Sequence, residues 1–181
     1  MGPVRLEGPR IVLREYQPAD FGAVHAYASD PEVTRYVAWG PNDEEVTRAF
    51  LDFAHQTARE DPRGTYPLAV VLRETAELLG GAELRILGPD RRRAAIGYVL
   101  NRRAWGQGIA TEAARLLIRF GFEELHLHRI EATCDPHNLG SRRVLEKAGL
   151  QLEGRIRHDL WTRGGWRDSL LFSILEGEFR D

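Results

Sequence analysis

Cysteine occurs once in this chain, at Cys134, so no internal disulfide and no multi-cysteine metal site can form, and no metal is expected. Cys134 itself falls in an apolar stretch and reads as a packing residue. Lysine is just as scarce: Lys147 is the only one among 25 basic residues, a bias compatible with genome composition or with thermal adaptation. An excess of either charge is missing too. With 25 basic against 27 acidic residues the net charge is −2, and no global field favours a nucleic-acid partner. The run Arg91-Arg92-Arg93 follows Gly88-Pro89-Asp90 and reads as a solvated hairpin loop rather than a basic stripe. No apolar run approaches ~18 residues, so no membrane partner is expected. The stretch Met1 to Glu7 lacks the apolar core of a signal peptide, and a cytoplasmic location is the expectation.

What is present describes a globular α/β chain. Hydrophobic residues make up 43% and charged residues 29% of 181, which predicts a single domain over 1–181 with a sizeable core. Strand patterns cover Arg10–Glu15, Pro67–Arg73, Leu79–Leu87, Ala94–Asn101, Arg129–Asp135, Gln151–Arg163 and Trp166–Leu175. Helical patterns cover Pro18–Ser29, a segment capped by Asn42 with Glu45 three residues on, and Glu112–Leu125; a short helical turn is expected over Pro31–Ala38. Val46, Ala49, Phe50, Phe53 and Ala54 form the expected buried stripe of the second helix. Gly164-Gly165 between the last two strands is a hairpin signal. The three middle strands are separated by short turns, hence antiparallel, whereas the crossover helix makes Arg129–Asp135 parallel to Ala94–Asn101. The fold class is a mixed, mostly antiparallel sheet flanked by helices.

The most informative stretch is Trp105-Gly106-Gln107-Gly108-Ile109-Ala110-Thr111, which lies between the strand ending at Asn101 and a helix. A glycine-containing turn at a helix N-terminus holds phosphates, because the backbone can approach closely and free N–H groups face the anion. Three readings compete: a dinucleotide turn, a coenzyme A pyrophosphate turn and a helix start with no ligand. The dinucleotide pattern asks for a third glycine where Thr111 stands, a first glycine directly after the strand, and an acid closing the next strand. Only the last is met, by Asp135.

A second motif follows, Asp135-Pro136-His137-Asn138-Leu139-Gly140-Ser141, continuing to Lys147-Ala148-Gly149-Leu150. Asn138 is a suitable N-cap, Gly149 a suitable left-handed C-terminal residue, and Asn138 and Ser141 share one helix face. With these two motifs the chain resembles the GNAT superfamily of N-acetyltransferases, and more narrowly its RimJ/RimL branch of ribosomal-protein N-terminal acetyltransferases. The resemblance covers nearly the whole chain, from Gly8-Pro9-Arg10-Ile11-Val12-Leu13-Arg14 through Asp30-Pro31-Glu32-Val33-Thr34-Arg35-Tyr36 to Trp166-Arg167-Asp168. It implies a splayed pair of parallel strands that admits the pantetheine arm. Two departures stand out: Trp105 replaces the Gln or Arg that usually opens the phosphate motif, as is common in this branch, and Leu145 replaces the tyrosine that often protonates the leaving thiolate.

The resemblance implies acetyl-CoA as co-substrate and assigns roles. The pyrophosphate would rest on backbone N–H groups of Gly106, Gln107, Gly108, Ile109, Ala110 and Thr111, with the Thr111 hydroxyl as cap or donor. Backbone groups of Val99, Leu100 and Asn101 would hold the pantetheine and polarise the thioester carbonyl. Asn138 would bond the pantetheine arm, and Ser141 would serve as the catalytic donor toward the sulfur. Glu83, Asp135, His137, His158, Asp159 and Asp168 are the acids and histidines that could reach the cleft, and spacing singles out none as a base; Asp168 recurs in the branch and points to a structural hydrogen bond. An α-amine, with a pKa of about 7.7–8.0, needs less help losing its proton than a lysine at about 10.4. A protein N-terminus, such as that of a ribosomal protein, is therefore the expected acceptor, with polyamines and amino-bearing antibiotics as alternatives. A non-catalytic acyl-CoA-binding module is the reading outside enzymes. Tyr36, Trp39, Trp161 and Trp166 flank loops and either line a pocket or pack the core. An oligomer is compatible with this sequence.

Overall fold

The computed structural model describes residues 2–180. Eight strands form one sheet: β1 (Arg5–Glu7), β2 (Ile11–Arg14), β3 (Thr65–Leu72), β4 (Leu78–Leu87), β5 (Arg93–Leu100), β6 (Arg129–Cys134), β7 (Gln151–Thr162) and β8 (Gly165–Leu175). Their order is β1-β2-β3-β4-β5-β6-β8-β7, and β5–β6 is the one parallel pair. The four helices are α1 (Phe21–Ala28), α2 (Glu44–Thr57), α3 (Ile109–Glu123) and α4 (Leu139–Lys147). The expected mixed, mostly antiparallel sheet with flanking helices is thus what the chain adopts.

Period-two alternation divides the apolar residues between two cores. On β3, Leu68 and Val70 face one core with α3, while Ala69 and Val71 face the other with α1 and α2. The larger core gathers Ile11, Leu13, Leu84, Leu117, Ile118, Ile130 and Phe172. Along α3 the buried residues Ile109, Ala113, Leu116, Leu117 and Phe120 follow the i, i+3, i+4 spacing of an amphipathic helix, and that stripe lays the helix on the sheet. Truncating a fully buried side chain such as Leu117 to alanine costs about 2–5 kcal/mol.

Parallel pairing between β5 and β6 covers Arg93↔Arg129 to Ala95↔Glu131 and then stops. Ile96–Leu100 and Ala132–Cys134 continue without pairing each other, which opens the cleft described below.

Local differences from the sequence reading have identifiable causes. Asp43, not Asn42, caps α2: its Oδ1 accepts the Val46 N–H at 2.8 Å. The two residue types are near-equal caps, and the Asn42 N–H is held by the Ala28 carbonyl at 2.9 Å. The buried stripe of α2 is Thr47, Leu51, Ala54 and Thr57, rotated by about one residue from the expected one, so Val46, Ala49 and Phe53 are exposed. Helix α3 begins at Ile109, three residues before Glu112, because Gly108 adopts a left-handed conformation (φ 79°) and supplies the N-cap without a side chain. Thr111 lies inside the first turn and is not the cap. The final hairpin turns on Arg163-Gly164, with Gly165 already paired to Thr162. Segment 31–38 forms turns without a helix, and the three-residue β1 is an added edge strand.

Candidate active site

The phosphate turn is built as a backbone cradle. Gly106 (φ 74°) and Gly108 (φ 79°) both occupy the left-handed region, which a side chain disfavours. Among the described residues, no protein acceptor takes the N–H of Gly106, Gln107 or Gly108. Those of Ile109, Ala110 and Thr111 belong to the first helical turn, where the four leading donors lack helical partners. Six consecutive amides without helical acceptors thus lie at the positive end of a 15-residue helix. A brace that the sequence reading missed holds this turn. Arg10 donates from Nη1 to the Gln107 carbonyl at 2.7 Å and from Nε to Glu112 at 2.8 Å, while Glu112 Oε1 accepts the backbone N–H of Arg10 and Ile11.

The end of β5 divides its backbone groups between β4 and the cleft. Asn101 donates its N–H to the Leu79 carbonyl at 2.8 Å. Antiparallel pairing alternates, so Val99, opposite Gly81, also turns its N–H and C=O toward β4. Leu100 is in the opposite phase, so its N–H turns away from β4, and its carbonyl accepts from Trp105 Nε1 at 2.9 Å. The Asn101 side chain caps the following turn by accepting the Arg103 N–H at 3.2 Å. Tyr98 lies in the same phase as Leu100, and of the three residues Val99 is the one that lines the cleft described below.

Across the splay, α4 starts where Asn138 Oδ1 accepts the Ser141 N–H at 3.0 Å, and among the described residues none takes the Asn138 amide nitrogen. The helix ends in a Schellman motif: Gly149 (φ 97°) donates to Glu146 at 3.1 Å and Leu150 to Leu145 at 3.0 Å. The Ser141 hydroxyl lies 3.0 Å from Tyr98 Oη, and Tyr98 Oη also donates to the Ser141 carbonyl at 3.2 Å. Burial pushes the Tyr98 phenol well above its ordinary pKa. Leu145, at the position discussed above for tyrosine, is 1% exposed and belongs to the core. The nearby Cys134 thiol is raised by burial and then by Asp135.

A cleft of about 610 Å³ joins these groups to the other face of the sheet. Its lining includes Val99, Asn138 and Ser141, together with Glu83, Tyr98 and Arg167; the turn at Gly106–Thr111 lies outside it. Of the six candidate bases, Glu83 and Asp135 line it. Asp135 already accepts from the His137 backbone N–H at 2.8 Å and lies 3.0 Å from the His137 ring. Asp168 accepts the His158 N–H at 2.8 Å, which lowers its pKa most, and a bond from Arg155 Nε at 2.6 Å, a structural arrangement. His158 stacks on Trp166 in the exposed hairpin. Glu83 has no hydrogen-bond partner among the described residues, and desolvation raises its pKa while Arg85 opposes that shift.

The outer wall is apolar. Val46, Phe50 and Phe53 from α2 face Tyr36, Val37 and Trp39 from the 31–41 segment. Two arginines of the β7–β8 hairpin fasten that segment by its carbonyls: Arg163 donates to Thr34 at 3.0 Å and Trp39 at 3.2 Å, and Arg167 to Tyr36 at 2.6 Å. Trp161 and Trp166 pack edge-to-face on each other and stay exposed, away from this wall. Among the described residues, no cluster of His, Cys, Asp or Glu could hold a metal ion, and no helix is long and apolar enough to cross a membrane.

A glycine turn at a helix start and two parallel strands that part are the features to set beside known proteins. The family model described as the acetyltransferase (GNAT) domain matches residues 10–151, and the chain belongs to that family. It is 33% identical over 171 residues, 94% of this chain and 95% of the relative, to p20 of Bacillus licheniformis, an uncharacterized N-acetyltransferase. Spermidine N(1)-acetyltransferase of Escherichia coli K12 is 25% identical over 169 residues, 93% of this chain and 88% of that one. The structure of Mycobacterium smegmatis RimJ in complex with CoA-disulfide matches with a TM-score of 0.85 at 27% identity, covering 100% of this chain and 93% of RimJ. The chain is therefore an N-acetyltransferase, and acetyl-CoA is the donor of its family.

Proposed function

We propose that this enzyme, as one domain spanning 1–181 and acting in the cytoplasm, transfers acetyl from acetyl-CoA to a peptide or protein α-amine, as RimJ/RimL-type enzymes do. The observation that carries this reading is the acceptor side of the cleft: one unpartnered carboxylate, Glu83, beside an apolar wall. A polyamine carries several cations, and a site built for it would present several carboxylates. Here Asp135 is engaged by His137 and lies 3.8 Å from Arg167, so Glu83 meets a single ammonium. Phe50, Phe53 and Trp39 suit the side chain next to that ammonium.

The pyrophosphate rests on the amides of Gly106–Thr111 and the pantetheine arm enters between β5 and β6, where Asn138 offers its free amide. Leu100 N–H polarises the thioester oxygen. Glu83 accepts one proton from the ammonium, directly or through water, and passes it to solvent. Its raised pKa narrows the gap to an α-ammonium near ~8 but leaves a lysine near ~10.4 remote. The neutral nitrogen attacks the carbonyl carbon, the C–N bond forms and the C–S bond breaks. The second ammonium proton ends on the coenzyme sulfur, which draws it through the Ser141 hydroxyl.

The test is thiol release from acetyl-CoA with single acceptors. Peptides with free α-amines give turnover, and N-terminally blocked versions give little. A second reading, acetylation of a polyamine, is favoured by the 25% identity to the spermidine enzyme; turnover with spermidine and none with any peptide would establish it instead.

A further inference from the structure

The lost tyrosine of α4 has a counterpart on β5. Tyr98 lies beyond the last β5–β6 pair, Ala95↔Glu131, so its ring spans the splay and reaches the first turn of α4. Three contacts then fix Ser141: Asn138 Oδ1 on its N–H at 3.0 Å, Tyr98 Oη on its carbonyl at 3.2 Å, and the same oxygen on its Oγ at 3.0 Å. We infer that Tyr98 is the positioning residue of the acetyl transfer, aiming the Ser141 hydroxyl at the coenzyme sulfur.

The inference rests on the proton-donor reading of Ser141 and deepens it. A phenol has one proton and can satisfy two acceptors in turn. While it donates to the Ser141 carbonyl, its oxygen accepts the serine proton. As charge develops on sulfur, the serine O–H turns to the sulfur and Tyr98 turns its own O–H to Ser141 Oγ. No proton leaves Tyr98 in this exchange, in keeping with a phenol held protonated by burial. The proton that reaches sulfur belonged to Ser141, and Ser141 regains one from the amine that has just attacked. The Cys134 thiol, also near Ser141, stays protonated because burial raises it, so it does not supply a competing negative charge. Tyr98 was not among the candidates read from sequence. Its signal there is its phase: it lies two residues before Leu100 and so turns to the same side of the sheet.

The experiment is a double-mutant cycle in the thiol-release assay with acetyl-CoA and an α-amine peptide, using Tyr98→Phe, Ser141→Ala and the pair. Ser141→Ala is expected to lower kcat by ~10²-fold. Tyr98→Phe is expected to lower it by about 10-fold, the loss of one aiming hydrogen bond, with KM for acetyl-CoA unchanged. The double variant is expected to match Ser141→Ala, since the tyrosine acts only through the serine. Thermal midpoints with and without coenzyme report folding, and Tyr98→Met, which refills the space with a flexible side chain, repeats the test with different packing. Wild-type turnover in Tyr98→Phe alongside a crippled Ser141→Ala overturns the role of Tyr98 alone. Losses that multiply in the double variant also overturn it, since they mark an independent structural effect. Wild-type turnover in Ser141→Ala overturns the serine reading beneath it.

Discussion

The proposed donor and acceptor sides of the site are built in different ways. The proposed donor side consists of the turn at 105–111, which lies outside the cleft, and of the stretch 135–150, which lines it, and its groups are mostly backbone amides aimed by glycine and by helix starts. The proposed acceptor side is assembled from α2, the 31–41 segment, the middle of β4 and Leu160 and Arg167 of the β7–β8 hairpin, far apart in sequence and tied by arginine-to-carbonyl bonds. Backbone chemistry is independent of side-chain identity, so a site of that kind can persist while the wall opposite it changes. The contrast matches the relatives, where one architecture serves a spermidine enzyme and RimJ alike.

The contrast breaks most visibly at Gly108. A valine there would carry a branched side chain at φ 79°, which costs roughly 1–2 kcal/mol of backbone strain, with its Cβ 3.3 Å from Arg10 Nη2. It would also stand between the amides and a phosphate. Acetyl-CoA should raise the melting temperature of the wild type and leave that of Gly108→Val unmoved. A folded Gly108→Val protein with wild-type coenzyme affinity would remove this turn from the site.

Glu83→Gln separates chemistry from stability. Turnover should fall by ~10²- to 10⁴-fold, the range for a lost general base. Burial raises the Glu83 pKa, so its contribution to stability is full below the ordinary carboxylate range and declines as pH rises through the raised value. At neutral pH the ionised form is the unfavourable one, and the melting temperature of Glu83→Gln should equal or exceed that of the wild type. A glutamine variant that melts lower and turns over normally would make Glu83 a structural residue.

A smaller effect is expected on the wall. Phe53 is 45% exposed, so Phe53→Ser should fold, keep its KM for acetyl-CoA and raise the KM for peptide by about 3- to 10-fold. An equal change in both constants would dissolve the division into two sides. Least is expected from Glu153→Gln, outside both. Arg129 and then Ser173 lower the Glu153 pKa to about 2, so its contribution is present above the ordinary carboxylate range and is lost as pH falls toward 2. The carboxylate is well exposed, and the loss at neutral pH should stay below about 1 kcal/mol with no change in turnover.

What could be read without the structure follows the same division. The Asn138 cap and the Gly149 end are decided within a few residues and are visible as residue types in place, whereas the start of α3 lies three residues before the expected Glu112 because glycine at 108 takes the left-handed cap. The phase of α2 is decided by what it packs on. Valine, alanine and phenylalanine at 46, 49, 50 and 53 look like a buried stripe, but the fold buries Thr47, bonded to His25 of α1, and Leu51, and leaves Val46 and Phe53 to the cleft. Glu83 was one of six equivalent acids and histidines because its reach depends on the pairing Glu83↔Gly97, where a residue with no side chain opens the space. Which of Val99–Asn101 turn their backbone groups away from β4 depends on the strand pairing, which an apolar run does not encode.

The most direct test of the account is a competition. One reaction holds acetyl-CoA, spermidine and a peptide with a free α-amine and an internal lysine, and mass spectrometry locates the acetyl group. The account predicts acetyl on the α-amine, with a rate that rises with pH and levels off near the amine pKa of about 8. Acetyl on spermidine or on the lysine, with the α-amine untouched, would contradict it.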